Sequence, residues 1–192
     1  MNTQKEFLMR LVGLLDKARI PYMVTGSMGS SFHGRPRATQ DADLVIDPTE
    51  GQLGFLLPFL ERDYYVSREA AYDAMRRRTM FNVIDLAGGW KADLIVRKDR
   101  PYSRREFERR RQIEAMGQTL WVVSPEDTVL SKLEWMKGRE SDVHYPDALG
   151  VAVAQRENLD LAYLRTWAQE LGVENGLTRL LQEARVQVER ID

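Results

Sequence analysis

The stretch GSMGSSFHGRPRATQDADLVID, residues 26–47, decides the fold because it places Asp41 and Asp43 on alternate residues at the start of an apolar run. Alternate residues of a β-strand point to the same face, so the two carboxylates lie close together and repel each other. The repulsion calls for a positive group between them, and an arginine or a metal ion is the candidate. The opposite face of the predicted strand is apolar and points into the core, with Ala42, Leu44 and Ile46.

Composition limits the classes of function that the chain can have. Its 192 residues suffice for one domain, or for a domain with a small helical appendage. The 28 basic and 29 acidic residues give a net charge of -1, which argues against generic binding to nucleic acid or membrane. The absence of cysteine excludes disulfides, zinc–thiolate sites and thiol nucleophiles. With no signal-peptide pattern and no apolar run near the roughly 20 residues of a membrane span, we expect a cytoplasmic protein without a membrane partner.

Hydrophobic periodicity predicts an α/β core. Thr3 and Glu6 form a capping-box pattern for a first helix, and the apolar run at 22–25 predicts a strand. Two further runs, at 80–85 and 91–96, are joined by a turn that contains two glycines. Together they predict a β-hairpin.

The second half of the chain changes from a mixed pattern to a helical one. Ser103 and Glu106 form another capping-box pattern, which predicts a helix over residues 104–112. Ser124 and Pro125 open a predicted helix in SPEDTVLSKLEWMKG, and beyond Tyr145 the pattern is helical only. The chain therefore divides into an α/β core, residues 1–125, and a helical carboxyl-terminal region, residues 126–192, which we expect to pack on the core.

A third carboxylate would complete a metal site. Magnesium prefers carboxylate and phosphate oxygens, and two-metal phosphoryl-transfer sites hold their ions about 3.5–4 Å apart between shared carboxylates. Asp93, in the run KADLIV, is an acid inside an otherwise apolar strand and is the favoured candidate. Asp85 also ends a strand and stays open as an alternative, although the hairpin turn explains its presence.

Gly26 and Ser27 predict an anion site upstream of the aspartates. A glycine lets the backbone approach a phosphate, and a serine that caps the amino terminus of a helix leaves free N–H groups and a favourable dipole. An anion site combined with a cation site is what a magnesium-bound triphosphate requires.

These residues resemble a known signature. Gly26-Ser27, Asp41-x-Asp43 and a later strand aspartate resemble the nucleotidyltransferase superfamily typified by DNA polymerase β. The stretches SSFHGRPRATQDADLVID and SPEDTVLSKLEWMKG resemble small bacterial nucleotidyltransferases related to the minimal enzymes and to abortive-infection toxins of toxin–antitoxin pairs. The resemblance implies a mixed sheet flanked by helices, a nucleoside triphosphate as substrate and magnesium, as two ions, as cofactor.

The resemblance also implies roles for single residues. Asp41 and Asp43 would be magnesium ligands, and Asp93 would be the third ligand and the base that takes the proton of the acceptor. Gly26 and Ser27 would hold the β and γ phosphates.

Three further positions follow from the toxin relatives. Arg37 matches their basic residue ahead of the paired aspartates, and Lys132 matches a lysine near the nucleotide. Asp147 matches a later acidic position, although SDVHYPDALG departs from the usual lysine–aspartate arrangement.

Several questions stay open at the level of sequence. A non-catalytic nucleotide-binding or protein-interaction module would keep the same fold, and a phosphodiesterase or nuclease would use the same two metals. The acceptor is a small molecule, a tRNA or a protein, and the base, an antitoxin partner and the oligomeric state are not specified. The basic excess over residues 76–111 fits either a solvated helix face or a patch for RNA. The tryptophans are interpreted as core or interface residues rather than as base-stacking platforms.

Overall fold

The computed structural model describes residues 3–115, 117–137 and 143–189. Contacts divide the chain into two units, which we name the sheet unit, residues 1–25 and 39–122, and the helical unit, residues 26–38 and 123–192. By contacts, residues 26–38 and 123–125 belong to the helical unit, while the division at residue 125 stays a prediction.

The elements are numbered in chain order through both units. The strands are β1 Tyr22–Thr25, β2 Asp41–Ile46, β3 Tyr64–Tyr65, β4 Met80–Asp85, β5 Lys91–Val96, β6 Arg111–Ala115 and β7 Gln118–Val122. The helices are α1 Gln4–Lys17, α2 Gly26–His33, α3 Glu50–Asp63, α4 Arg68–Arg77, α5 Pro101–Glu108, α6 Pro125–Trp135, α7 His144–Ala154, α8 Leu161–Leu171 and α9 Glu174–Glu189.

The sheet unit is built on a mixed seven-stranded sheet with the order β3-β4-β5-β2-β1-β7-β6. β2 lies in its interior, parallel to β5 on one side and antiparallel to β1 on the other. In this register Asp43 is the direct neighbour of Asp93 on β5 and of Thr25 on β1. The predicted α/β class, with a mixed sheet and flanking helices, is confirmed.

Side-chain alternation gives β2 and β5 two different faces. Helix α1 covers one face of the sheet. Its Phe7 ring lies 6.0 Å from the ring of Tyr64 on β3, and its Arg10 donates to Asp85 on β4 at 3.0 Å. A register slip of one residue would turn the aspartates of β2 onto this covered face, so burial fixes the register. The side chains that β2 and β5 bury here are at most 2% exposed: Ala42, Leu44, Ile46, Ala92, Leu94 and Val96.

Local sequence signals account for several helix starts. Thr3 and Glu6 form the predicted capping box of α1. Ser124 caps α6, since its hydroxyl accepts from the Asp127 N–H at 3.1 Å. The buried carboxylate of Asp127 in turn accepts from the hydroxyl of Tyr163 at 2.6 Å, which ties α6 to α8 within the helical unit.

The predicted helix over 104–112 is wrong at both ends. α5 begins at Pro101, with Arg100 as an N-cap that makes no side-chain hydrogen bond, and ends at Glu108. The next residues form β6, which pairs antiparallel with β7. Arg110 stacks on the ring of Trp121, 4.7 Å from its centroid, so cross-strand pairing and stacking override the helical propensity of this arginine-rich segment.

Gly34 tests the packing of the helical unit. A Cβ at this position would lie 2.8 Å from the Val151 nitrogen and 2.9 Å from the Gly150 carbonyl carbon, both of them backbone atoms of α7. We expect Gly34→Ala to lower the free energy of unfolding by about 1–3 kcal/mol in urea titrations, because α7 must shift. Gly51→Ala in α3 is the matched control, since its Cβ meets nothing within 4 Å; it should be neutral or stabilising.

Candidate functional site

Three of the predicted site residues share the open face of the sheet. Asp41 and Asp43 alternate with buried residues on β2, and Asp93 lies beside Asp43 on the adjacent parallel strand. Neighbouring strands are about 4.8 Å apart, so the structure brings these three carboxylates into one group. Their exposure differs, since the Asp41 side chain is 49% exposed and that of Asp93 is 14% exposed.

A lysine supplies the positive group that the paired aspartates require. The Lys91 ammonium lies 2.9 Å from the Asp93 carboxylate and 3.9 Å from that of Asp41. A hydrogen bond from Lys91 to Asp93, strengthened by the charges of Asp41 and Asp43, raises the pKa of the lysine. Asn82 of β4 donates a second hydrogen bond to the Asp93 carboxylate. From the sequence we expected an arginine or a metal ion between the aspartates. In the structure, the ammonium group of Lys91 lies beside Asp93 and Asp41.

The donor set fits a hard divalent cation in its chemistry. The Lys91 ammonium is itself a cation held among these carboxylates, which shows that the face stabilises positive charge. Within the described ranges, no three acidic, histidine or cysteine side chains already converge on one metal position. The carboxylates would therefore have to turn from the ammonium toward an arriving metal ion.

The alternative third acid lies elsewhere. Asp85 is only 2% exposed and follows Phe81 and Val83 on the buried face of β4, whereas Asn82 and Asp93 lie on the opposite face. Its carboxylate accepts from Arg10 at 3.0 Å and from the Gly88 N–H at 2.7 Å. Asp85 thus holds the hairpin turn and α1, and it is not part of the carboxylate group.

Gly26 begins α2 directly after β1. Its φ of 61° lies in the left-handed region, which glycine adopts without the strain that a Cβ would cause. α2 starts at Gly26, so Ser27 lies in the first turn instead of capping the helix as predicted. The first N–H groups of a helix lack partners within it, so this turn keeps the features of an anion site.

The helical unit collects the remaining predicted residues in one network, which we name the Asp147 cluster: Ser27, Ser30, Arg37, Lys132 and Asp147. The Asp147 carboxylate accepts from Lys132 at 2.9 Å, from Arg37 at 3.0 and 3.2 Å, and from Ser30 at 3.3 Å. Arg37 also donates to the hydroxyl of Ser27. Sequence positions far apart thus meet at one carboxylate.

Burial and charge define the chemistry of the Asp147 cluster. The Lys132 side chain is 5% exposed and that of Asp147 is 8% exposed. Burial raises the pKa of Asp147, but the hydrogen bonds from Arg37 and Lys132 outweigh burial, so the pKa is lowered overall. Two cations against one carboxylate leave the cluster net positive. Such a cluster suits a phosphate, which arginine binds in a bidentate manner and lysine as a point charge.

Solved structures of nucleotidyltransferases and of a nucleotidyltransferase-like protein are similar to this one. An antigenic nucleotidyltransferase-like protein from Paracoccidioides brasiliensis has a TM-score of 0.56 and 17% identity, over 93% of this chain and 91% of its own. ANT(2'')-Ia, in complex with adenylyl-2''-tobramycin, has a TM-score of 0.59 and 14% identity, over 88% and 98%. The lincosamide antibiotic adenylyltransferase LnuA, with lincomycin bound, has a TM-score of 0.56 and 10% identity, over 79% and 98%. The chain has the nucleotidyltransferase fold.

The likeness to these nucleotidyltransferases is one of structure. At the level of sequence, no family model and no curated protein matches the chain. Within the described ranges, no helix of this nucleotidyltransferase fold is long and apolar enough to cross a membrane. The roles of single residues therefore depend on their own geometry.

The sequence analysis did not identify the contacts of Lys91 or those of Ser30. Lys91 is two residues before Asp93, so the period of a strand places both on one face, and this alternation could have identified it. Ser30 follows Ser27 by three residues on α2, which is helical spacing. Its bond to Asp147 could not be predicted, because it depends on the packing of α2 against α7.

The lowered pKa of Asp147 predicts a pH-dependent stability. The folded protein favours the charged carboxylate, so its contribution is present above the unfolded pKa near 3.8 and is lost as the pH falls through the lower, folded value. We expect Asp147→Asn to lower the free energy of unfolding by about 3 kcal/mol at pH 7, since it leaves buried Lys132 without its carboxylate. Urea titrations should show this deficit shrinking below pH about 4.

Asp73→Asn is the control for that measurement. Asp73 is an exposed carboxylate of α4 that pairs with Arg76 at 3.5 Å and Arg77 at 3.4 Å. Its loss should cost less than about 1 kcal/mol. A deficit for Asp147→Asn that stays constant down to pH 2 would show that the ion pairs of Asp147 do not stabilise the fold.

We expect the Lys91 ammonium and an added magnesium ion to compete for the carboxylates of Asp93 and Asp41. Lys91→Met removes the ammonium among the carboxylates, so the variant should be less stable than wild type by about 0.5–1 kcal/mol in a metal chelator. Added magnesium should then raise the Tm of Lys91→Met more than that of wild type, as differential scanning fluorimetry can measure. Lys98→Met, which removes an exposed lysine of the same unit, should respond like wild type. Equal magnesium responses in all three proteins would contradict a cation site on this face.

Proposed function

We propose that the protein is a magnesium-dependent nucleotidyltransferase that moves a nucleoside monophosphate from a nucleoside triphosphate to an acceptor and releases pyrophosphate. The observation that carries the proposal is the alignment of Asp43 with Asp93 on adjacent parallel strands, with Asp41 on the same face. A binding protein without catalysis has no need of this costly concentration of carboxylates. The fold of the solved neighbours supports the same reaction class.

The predicted site residues would supply two kinds of ligand. Asp41, Asp43 and Asp93 would hold magnesium, which when bound neutralises the triphosphate and polarises the reacting phosphoryl group. The first turn of α2, from Gly26 and Ser27, would donate N–H groups to the β and γ phosphates. Arg37 and Lys132 would add charge-assisted hydrogen bonds to phosphate oxygens, exchanging part of their pairing with Asp147.

The chemical step needs little covalent participation by the protein. An acceptor hydroxyl attacks the α phosphorus, a new oxygen–phosphorus bond forms, and the bond from the α phosphorus to the bridging oxygen breaks with pyrophosphate as the leaving group. The carboxylate of Asp93, which is less exposed than that of Asp41, would accept the hydroxyl proton. Positioning and charge neutralisation account for most of the expected acceleration.

The acceptor is proposed by class. Two of the neighbours were solved with adenylyl-2''-tobramycin and with lincomycin, so a small hydroxylated molecule is one candidate. The resemblance to abortive-infection toxins adds a tRNA or a protein, with an antitoxin that restrains the activity. Growth arrest on expression of wild type, absent for a variant with Asp41 and Asp43 replaced, would favour the toxin class.

One observation favours a second candidate function. Because Lys91 already neutralises Asp93 and Asp41, the chain could bind a nucleotide without turnover, as a non-catalytic module. Binding and transfer must therefore be measured separately.

Calorimetric titration of each nucleoside triphosphate with magnesium tests the proposal first. Wild type should bind at least one triphosphate, and the double variant Asp41→Asn, Asp43→Asn should lose the magnesium-dependent part of the affinity. Asp99→Asn, an exposed acid paired with Arg104 at 2.6 Å, is the control and should bind like wild type. With α-labelled triphosphate and cell extract, the double variant should transfer label about 100-fold more slowly or worse.

The outcomes separate the two candidates. Magnesium-dependent binding with labelled product supports the transferase. Binding that wild type and the double variant share, without labelled product from any extract, supports the non-catalytic module. No triphosphate binding by wild type contradicts both.

A further inference from the structure

Trp135 is the most exposed large apolar side chain of those that the structure describes, at 67% of its full accessible surface. Exposing an indole forfeits the burial of a large apolar area, and buried or half-buried positions are the rule for tryptophan. Of the core and interface roles that the sequence suggested for the tryptophans, this exposure on the last turn of α6 does not fit the core role. The other exposed large apolar residue of the described helical unit, Val143, directly precedes α7. Among the described residues, exposed apolar surface therefore lies at the end of α6 and directly before α7, and we name these two side chains the patch.

This patch adjoins the Asp147 cluster on the same pair of helices. Trp135 follows Lys132 by three residues on α6, and His144 precedes Asp147 by three residues on α7. Residues at this spacing lie on one helix face, about 5–6 Å apart at Cβ. The Trp135 and His144 rings face each other with centroids 6.3 Å apart, just as Lys132 and Asp147 pair at 2.9 Å. Two layers result, one charged and one aromatic, separated by about one helical turn.

We propose that Trp135 stacks on the base of the nucleotide whose phosphates bind Arg37 and Lys132. The inference rests on the proposed function and adds the base subsite of the same ligand. A nucleotide has an anionic end and an aromatic end joined by a ribose, which matches an anion-binding layer beside an aromatic one. Because stacking depends on ring overlap, a purine triphosphate is preferred over a pyrimidine triphosphate.

His144 supports the indole from within the helical unit. Burial, together with the nearby Lys132 cation, lowers the pKa of His144, so the imidazole is neutral at pH 7 and adds no charge to the aromatic layer. The tilted contact between the two rings, at 34°, holds the indole from one side. With 67% of its surface exposed, the indole can contact a ligand.

A nucleotide explains the patch better than a protein partner does. The net positive Asp147 cluster lies one turn away and contains the residues suited to phosphate, so one ligand accounts for both layers. The apolar surface is also confined to one indole and one valine in the described helical unit, which is small for a protein interface.

Comparison of a nucleoside triphosphate with inorganic tripolyphosphate isolates the base. Calorimetry should show that wild type binds ATP or GTP about 10-fold or more tightly than tripolyphosphate, since stacking supplies the difference. Trp135→Ala should lose most of that advantage while its affinity for tripolyphosphate stays within 2-fold (about 0.4 kcal/mol) of wild type. Trp135→Phe should restore part of it. Nucleotide, but not tripolyphosphate, should quench the indole fluorescence that wild type has in excess of Trp135→Phe.

Tyr65→Ala is the matched control. It removes an aromatic side chain that is 63% exposed on β3 of the sheet unit, and it should bind ATP and tripolyphosphate like wild type. Because Trp135 is exposed, the Tm of Trp135→Ala should stay close to that of wild type, so a loss of binding cannot be ascribed to unfolding.

The outcomes separate this inference from the proposed function. Equal ATP affinity for wild type and Trp135→Ala, with intact tripolyphosphate binding, overturns the stacking role and leaves the transferase standing. Parallel loss of ATP and tripolyphosphate affinity in Trp135→Ala also overturns it, because the indole then supports the phosphate site. Failure of wild type to bind either ligand overturns both. A Trp135→Ala protein that keeps its nucleotide affinity but loses a protein partner assigns the patch to an interface.

Discussion

The constraint on which the sheet depends is that β2 carries carboxylates and core residues on alternate positions. Its apolar face must be buried, and burial in turn forces Asp41 and Asp43 onto one face beside Asp93. Three like charges on neighbouring strands destabilise a sheet unless a cation compensates them. Lys91 supplies such a cation from within the sheet, 2.9 Å from the Asp93 carboxylate and 3.9 Å from that of Asp41.

In the helical unit, buried positive charge is compensated by a carboxylate. Arg37 and Lys132 are cations, and burial of Lys132 would be costly without a partner. Asp147 compensates both, and the serines of α2 complete the hydrogen bonds around it. The two units thus carry charge groups of opposite sign, each neutralised in part by one residue of the other sign.

The fold was predictable to the extent that its determinants are local. Alternation in DADLVID and KADLIV fixed which face of each strand is acidic, and the capping pattern at Thr3 fixed the start of α1. The sequence failed where distant partners decide the outcome. Residues 111 and 112 were predicted to lie in a helix but belong to β6, because pairing with β7 and the stacking of Arg110 on Trp121 outweigh the local helical propensity.

Some residues of the candidate site were predictable from the local sequence pattern, and others were not. Placing Asp93 on the carboxylate face required only the period of a strand, while excluding Asp85 required knowing which face α1 covers. Arg37, Lys132 and Asp147 came from family resemblance, since nothing in their spacing reveals that they meet. The exposure of Trp135 was beyond any sequence pattern, because helical period shows which residues share a face and not whether another element covers it.

Self-neutralised charge groups have a consequence for how ligands enter. In the resting protein Lys91 and Asp147 each occupy partners that a substrate complex would need, so binding exchanges one set of ion pairs for another instead of filling an uncompensated site. Exchange lowers the net gain from a free metal ion or a free phosphate, because each would have to displace an internal partner alone. Under the proposed function, each internal ion pair would therefore have to be exchanged for contacts with the magnesium–nucleotide complex.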